Sequence, residues 1–148
     1  LEFKGIPEQE NEETDEIVKC IGNLLDVDIS DDDISISHRL PTSSNSNGPQ
    51  DNQPPIIIAK FVKRNVKEKL YRSRFQLKDK SRSDLEGFEH CSNDNSIFIS
   101  ESMTHTRRKL FKSCLKVRKE INYKIVSTTN GRIYFKEYAK SRPVYINC

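Results

Sequence analysis

The sequence predicts an α+β fold, because short segments with strand-type alternation are interleaved with longer segments of helical periodicity. Residues 1–7 and 34–40 alternate apolar and polar side chains, whereas residues 14–25 repeat apolar side chains at helical spacing. The chain has 148 residues, of which 34% are hydrophobic. This is enough for one domain of ordinary size, or for two small ones that share a core, and too little for a multidomain enzyme.

The first hundred residues are predicted to follow the order strand, helix, strand, strand, helix, strand. Residues 1–7 form the first strand, and residues 34–40 form the second, which Pro41 ends. Between them lies a helix that Thr14 or Asn11 caps. The expected core face of this helix consists of Ile17, Val18, Ile21, Leu24 and Leu25.

Residues 55–62 give the strongest strand signal. The first residues of this segment are apolar in succession, so both faces of the strand would be apolar there, which predicts a central strand. A second helix is predicted over residues 65–77, and a short fourth strand over residues 97–99. This order is the split βαβ plan, so we predict an RNA-recognition-motif-like (ferredoxin-like βαββαβ) sheet with two helices. The second helix is expected to pack on that sheet through Val66, Leu70, Tyr71 and Phe75.

The chain is expected to divide into two domains, residues 1–101 and residues 102–148. Residues 42–54 hold Ser, Asn, Gly, Gln and Pro without a large apolar side chain. Such a segment cannot bury surface that would offset the entropy of ordering it. We therefore predict that residues 42–54 are a mobile insertion.

The second domain is predicted to be a small helix plus β-hairpin unit. Ser102 or Thr104 caps the helix, and an Asn130-Gly131 turn joins the hairpin strands. The expected strands are residues 123–127, 132–135 and 143–146. The helix is expected to extend through Ile121 and to face its core with Leu110, Phe111, Cys114, Val117 and Ile121.

Enzyme motifs are absent, so we expect a protein without catalytic residues, metal or cofactor. The sequence has no nucleophile elbow, phosphate-binding loop or metalloprotease motif. Its four cysteines form no C-x-x-C pair, which disfavours a zinc site and favours reduced thiols in a nuclear or cytoplasmic protein. The longest apolar run, Ile56–Ala59, is far shorter than the roughly 20 residues of a membrane span.

Charge is segregated along the chain. Residues 1–33 hold 12 Asp or Glu against 2 Lys, a net charge of −10, whereas the remaining residues carry a net charge of +13. A segregated basic surface is typical of a polyanion-binding protein, because each neutralised phosphate releases a condensed counterion. The alternative interpretation is that the acidic and basic parts attract each other, or that the charges maintain solubility.

Five short motifs carry a family resemblance: Gly5-Ile6-Pro7-Glu8, Asn11-Glu12, His38-Arg39-Leu40, Pro55–Phe61 running into Lys63-Arg64, and Ile97–Glu101. In their order and spacing they resemble the FP-type domain of the baculovirus few-polyhedra protein and of related insect and transposon-encoded proteins. A more distant similarity is to the first open-reading-frame protein of LINE-type retrotransposons, which couples an RNA-recognition motif to a small C-terminal domain. The resemblance covers nearly the whole chain.

The resemblance implies that the chain binds single-stranded nucleic acid. The basic residue of the LINE-type pattern late in the second helix falls on Arg74, and its Thr-Arg-Pro-like motif falls on Ser141-Arg142-Pro143. Both would contact nucleic acid. The chain departs from ordinary RNA-recognition motifs where stacking aromatic residues belong, because Glu2, Ile56 and Ile58 stand at those positions.

Basic residues outside these motifs supply further candidate contacts. On the third predicted helix, basic side chains form a stripe opposite the apolar face. Their like charges repel one another, and a bound phosphate backbone would offset this repulsion; the alternative is that the stripe is simply a solvated face. In the C-terminal hairpin, basic residues interleave with Tyr134 and Tyr138, for which base stacking and ordinary packing are both open. The candidates besides Arg74 are Lys63, Arg64, Lys67, Arg108, Lys112, Lys116, Lys119, Arg132, Tyr134, Lys136, Tyr138, Lys140 and Arg142.

The leading hypothesis is a non-enzymatic module that binds single-stranded RNA or DNA, of which RNA is the favoured ligand. Phosphates would bind in a basic cleft between the two predicted lobes, and the source would be viral, transposon-derived or a domesticated cellular gene. The alternative is a protein interaction or oligomerisation module that docks a partner on a sheet without stacking aromatic residues. Self-association would then involve regions upstream of this chain, and no membrane partner is expected.

Overall fold

A computed structural model describes residues 1–41, 53–91 and 96–146 of the chain. It divides into two compact units, Leu1–Ser100 and Glu101–Cys148, so that Glu101 belongs to the second unit. The predicted α+β class is confirmed, since the described residues form two antiparallel sheets and three α-helices. The predicted mobile insertion, apart from Gln53 and Pro54, lies outside the described residues.

The first unit contains a four-stranded antiparallel sheet and two helices. In the sheet the strand order is β2-β3-β1-β4, so the strongest predicted strand is indeed a central one. Three 3-10 helices connect the elements, at Asp31–Asp33, Arg74–Asp79 and Arg82–Asp84. The elements are β1 (Glu2–Lys4), α1 (Thr14–Leu24), β2 (Ile34–Arg39), β3 (Ile57–Phe61), α2 (Arg64–Ser73) and β4 (Phe98–Ser100).

The core of the first unit lies between the sheet and its helices. Alternate strand residues supply one side of this core, among them Phe3, Ile57 and Ile99, all buried. The predicted face of α1 supplies the other side and is confirmed, except that Leu24 is only partly buried. The residues that alternate with these core residues lie on the opposite face of the sheet, which we call the open face because no helix packs on it through the core cluster.

The predicted cap of α1 is wrong. Glu13 is the N-terminal cap residue, and its side chain makes no capping hydrogen bond. The Thr14 hydroxyl instead hydrogen-bonds the Ser37 hydroxyl of β2, and Asn11 adopts a positive φ of 55° before the helix begins. The Thr14 side chain therefore links the helix to the sheet and does not cap the helix.

The predicted extent of the second helix is also wrong. The α-helix ends at Ser73 and continues as the 3-10 helix Arg74–Asp79. A 3-10 helix turns by about 120° per residue where an α-helix turns by about 100°, so the residues after Ser73 point in other directions than the α-helical pattern predicts. In this segment Leu77 is buried, whereas Phe75, which we expected on the sheet, is 60% exposed.

An arginine at the end of β2 binds the loop that follows β1. The Arg39 guanidinium donates to both carboxylate oxygens of Glu12 and to the carbonyl oxygens of Ile6, Pro7 and Pro55, the last at 2.7 Å. Hydrogen bonding to Arg39 is the main reason why the pKa of Glu12 is lowered from its ordinary value. Both side chains are about nine-tenths buried. This cluster brings together four of the five short motifs that carry the family resemblance.

The second unit consists of α3 (His105–Glu120) and a three-stranded antiparallel sheet, β5 (Ile125–Thr129), β6 (Arg132–Lys136) and β7 (Val144–Tyr145), in that order. The predicted turn is confirmed, since Asn130 and Gly131 both have positive φ, at 51° and 73°, as a two-residue hairpin turn of type I′ requires. Thr104 caps α3, as predicted, by accepting from the Arg107 amide. The buried Glu101 carboxylate accepts from the amides of Asn130 and Gly131, at 2.8 and 3.1 Å.

The predicted core face of α3 is correct in its first half and wrong in its second. Cys114 is buried against Ile133 and Phe135, with Leu110 and Phe111 packed beside it. Val117 and Ile121 are 40% and 45% exposed. Sixteen residues of α-helix are about 24 Å long, whereas a five-residue strand spans about 17 Å, so the last turn of α3 extends past the sheet.

Candidate nucleic-acid interface

Basic and aromatic side chains alternate on the outer face of the second sheet. Ile133 and Phe135 of β6 face α3, so Arg132, Tyr134 and Lys136 face the other way. The register places Tyr134 between Ser127 of β5 and Tyr145 of β7. The outer face therefore carries an aromatic pair between two cations; we call it the tyrosine face, and it consists of Ile125, Ser127, Thr129, Arg132, Tyr134, Lys136 and Tyr145.

The tyrosine face is open and holds no acidic residue. The rings of Tyr134 and Tyr145 meet edge to face, with centroids 5.8 Å apart, and Tyr145 is 45% exposed. Arg132 is exposed, and the Lys136 ammonium donates only a long hydrogen bond, 3.3 Å, to the Ala139 carbonyl. The contact thus covers an edge of one ring and part of a face of the other, and nearly half of the Tyr145 surface stays exposed to a ligand.

The chain between β6 and β7 presents the remaining hairpin candidates. A tight turn closes here, in which the Ser141 amide and hydroxyl both donate to the Tyr138 carbonyl, at 3.0 and 2.8 Å. Tyr138, Lys140 and Arg142 are all exposed in this segment. Pro143 alone separates Arg142 from the start of β7. They are available to a ligand, but nothing in the turn fixes the position of their side chains.

The basic stripe of α3 lies on the opposite side of the unit from the tyrosine face. The stripe is exposed along its length, as its position opposite Cys114 predicts, and it comprises Arg108, Lys112, Lys116 and Lys119. Since α3 packs on the inner face of the sheet, the helix and the sheet separate the stripe from Tyr134. The hairpin and helix candidates thus form two surfaces, and one nucleotide cannot contact both.

The predicted basic residues of the first unit are at two ends of one helix. At the start of α2, Lys63 pairs with Asp33 at 2.8 Å, and Arg64 pairs with Glu68 at 2.8 Å; Lys67 follows on the next turn. Arg74 follows the end of α2, about 15 Å along the helix axis from Arg64. The acidic partners partly neutralise the first group, so the structure does not gather these candidates into one site.

The Asp33–Lys63 pair predicts a pH effect on stability. Hydrogen bonds from Lys63 and Ser30 lower the pKa of Asp33 from 3.8 to about 2. A lowered carboxyl pKa stabilises the fold above pH 3.8, and this stabilisation is lost as the pH falls towards 2. We expect the wild type to be more stable than Asp33→Asn at pH 5, and the gap to close near pH 2; a constant gap in urea unfolding would contradict this.

A groove runs along β4, the edge strand of the first sheet. Its volume is about 330 Å³, and its walls are Arg74, Phe75, Leu77 and Lys78 of the 3-10 helix and residues 96–99. The Arg74 guanidinium stacks on the rings of Tyr71 and Phe75, at 3.7 and 4.2 Å from their centroids. Of the residues in these walls, the sequence predicted only Arg74 as a candidate contact; it did not predict that the rings of Phe75 and Phe98 would be exposed.

Other kinds of site find no support in residues 1–41, 53–91 and 96–146. These residues hold no cluster of three His, Cys, Asp or Glu side chains that could bind a metal ion, and no disulfide joins the three cysteines among them. Asp33, in the acidic turn, is engaged by Ser30 and Lys63. None of the described helices has the length and apolar composition needed to cross a membrane.

Comparison with known proteins gives no relative: no protein-family model and no curated protein matches this chain. The resemblance to the FP-type domain therefore stays an expectation from short motifs, and the geometry of each unit supplies the observations that bear on function.

Proposed function

We propose that this chain is a non-enzymatic module that binds single-stranded nucleic acid, with the tyrosine face of the second sheet as its principal contact surface. One observation carries the proposal: on β6, Arg132, Tyr134 and Lys136 share an outer face with Tyr145 and with no acidic residue. Surfaces that bind single strands without sequence preference combine aromatic rings, on which bases stack, with cations that follow the phosphates.

The first unit supports the same proposal through its topology. A four-stranded antiparallel sheet in the order β2-β3-β1-β4, with two helices on one face, is the arrangement we propose to be RNA-recognition-motif-like. Its open face differs from such motifs, since Glu2 is buried and paired with Lys4 at 3.2 Å. A buried carboxylate offers no ring on which a base could stack, which is why we assign base stacking to the second unit.

Two charge-matched double variants test the placement of the site. Arg132→Gln with Lys136→Gln removes two cations from the tyrosine face, and Lys112→Gln with Lys116→Gln removes two from the opposite side. The ligand is a fluorescently labelled oligouridylate of about ten nucleotides, titrated at several salt concentrations. Because each phosphate contact adds about 0.7 to the slope of log affinity against log salt, we expect the first variant to lower the slope by about 1.4.

The helix variant is the control. We expect it to leave the slope within about 0.3 of the wild type, since exposed charges that touch no phosphate act only through screened, long-range attraction. Equal losses from both variants would show that net charge alone governs binding, and a larger loss from the helix variant would move the site to α3. Tyr134→Leu, which keeps the charge, should lower affinity about fivefold or more, because it removes stacking.

The alternative function is a protein-docking module, which one observation favours. On the open face of the first sheet, Ile36 is 56% exposed. Ile58 lies on the same face, because it pairs with His38, which is two residues after Ile36 on β2, and it is half-buried. An apolar contact there would bind a partner with little dependence on salt, whereas binding through phosphates weakens steeply as salt rises. The salt titration therefore separates the two functions.

A further inference from the structure

We propose that the groove along β4 binds one unstacked base of the same single strand, with its phosphate at Arg74 and Lys78. This inference rests on the proposed function and adds to it a second nucleotide position, in the first unit. The groove lies between the edge strand and the 3-10 helix Arg74–Asp79.

Two accessible phenylalanine rings line the groove, next to the aliphatic side chains of Leu77, Ile97 and Ile99. Phe75 and Phe98 are 60% and 62% exposed, whereas Phe3, Phe88 and Phe135 are buried. Phe75 lies on the 3-10 helix that follows α2, and strand alternation turns Phe98 to the side opposite Ile99. An exposed phenylalanine offers its π face to a base, as the aromatic residues of single-strand binding proteins do.

Arg74 is held in position before any ligand binds. Its guanidinium stacks on Tyr71 and Phe75, and one of its NH groups donates to the Tyr71 carbonyl at 2.5 Å. A fixed, planar guanidinium suits a phosphate or the edge of a base better than a flexible ammonium does. The arginine thus links the apolar wall of the groove to its basic end.

Charge decides between the possible occupants of the groove. Among the described residues that line it, two are basic and none is acidic. An apolar peptide segment could cover the phenylalanines but brings no anion to the basic side of the groove. A nucleotide satisfies both features, because its base is planar and apolar on its faces and its phosphate is anionic.

The test compares a labelled oligouridylate with a backbone of the same length that lacks bases. Phe98→Leu and Phe75→Leu keep an apolar side chain and the charge but remove the ring. Phe98→Leu should weaken binding of the oligouridylate about fivefold or more and leave binding of the abasic strand unchanged, since only the former can stack. Phe75→Leu should weaken binding of the oligouridylate more than that of the abasic strand, because the Phe75 ring also holds Arg74. Phe98→Tyr keeps the ring and should bind as the wild type does.

Val62→Ala is the matched control, because Val62 is an equally exposed apolar residue, at 64%, outside the groove. Thermal unfolding of every variant checks the fold. If Phe98→Leu and Phe75→Leu bind the oligouridylate as tightly as the wild type, or lose affinity for both strands equally, the base site is refuted while binding at the tyrosine face stands. A wild type that binds neither strand would refute both proposals.

Discussion

Replacing Arg39 by alanine is expected to destabilise the first unit by about 3 kcal/mol or more. The substitution leaves the Glu12 carboxylate, only 11% exposed, without its cation, and removing one partner of a buried ion pair costs about 3–5 kcal/mol. It also leaves the carbonyl oxygens of Ile6, Pro7 and Pro55 without the donor that joins them. For a unit of about a hundred residues, this corresponds to a fall in the unfolding midpoint of at least about 12 °C.

Arg64→Ala is the control for this effect. Arg64 also pairs with a glutamate, Glu68, but its side chain is 74% exposed, and exposed pairs contribute at most about 1 kcal/mol. Urea unfolding of both variants measures the difference. Equal losses of stability would show that the Arg39 cluster does not hold the loop after β1 in place.

The second large effect is expected at Glu101. Its two carboxylate oxygens each accept a backbone amide of the hairpin turn, and hydrogen bonds to a charged group contribute about 1.5–3 kcal/mol each. Glu101→Ala should therefore destabilise the second unit by about 3 kcal/mol. Amide hydrogen exchange of β5 and β6 should then accelerate about a hundredfold, because 1.4 kcal/mol corresponds to a factor of ten.

Glu120→Ala provides the comparison, since Glu120 is an exposed acid of the same unit at the end of α3. It removes the same charge without touching the hairpin. We expect its exchange rates to match those of the wild type. Hairpin exchange that is equally slow in Glu101→Ala would contradict the role of Glu101.

The elements with local signals could be predicted from the sequence. The core face of α1 could be predicted because its apolar residues repeat at helical spacing, and the Asn130-Gly131 turn because few other residues accept positive φ twice in succession. The end of α2 could not be predicted. Residues 74–79 continue the helical pattern, and burial of Leu77, a tertiary contact, accompanies the switch to a 3-10 helix.

The candidate site shows the same division. Alternation along β6 indicated that Tyr134 and the core residues Ile133 and Phe135 face opposite ways. Tyr145 was missed, because the register of β7 against β6, which places the two tyrosines side by side, is a long-range feature. The motif arginine Arg39 has a structural role, which depends on four segments of the chain meeting at one guanidinium.

The affinity of the wild-type chain for a labelled oligouridylate, measured over a range of salt concentrations, tests the central claim most directly. With at least three cations on phosphates, the logarithm of the affinity should fall linearly with the logarithm of the salt concentration, with a slope of about −2 or steeper. No binding at low salt, or an affinity that does not change with salt, would contradict the proposal that this chain binds single-stranded nucleic acid.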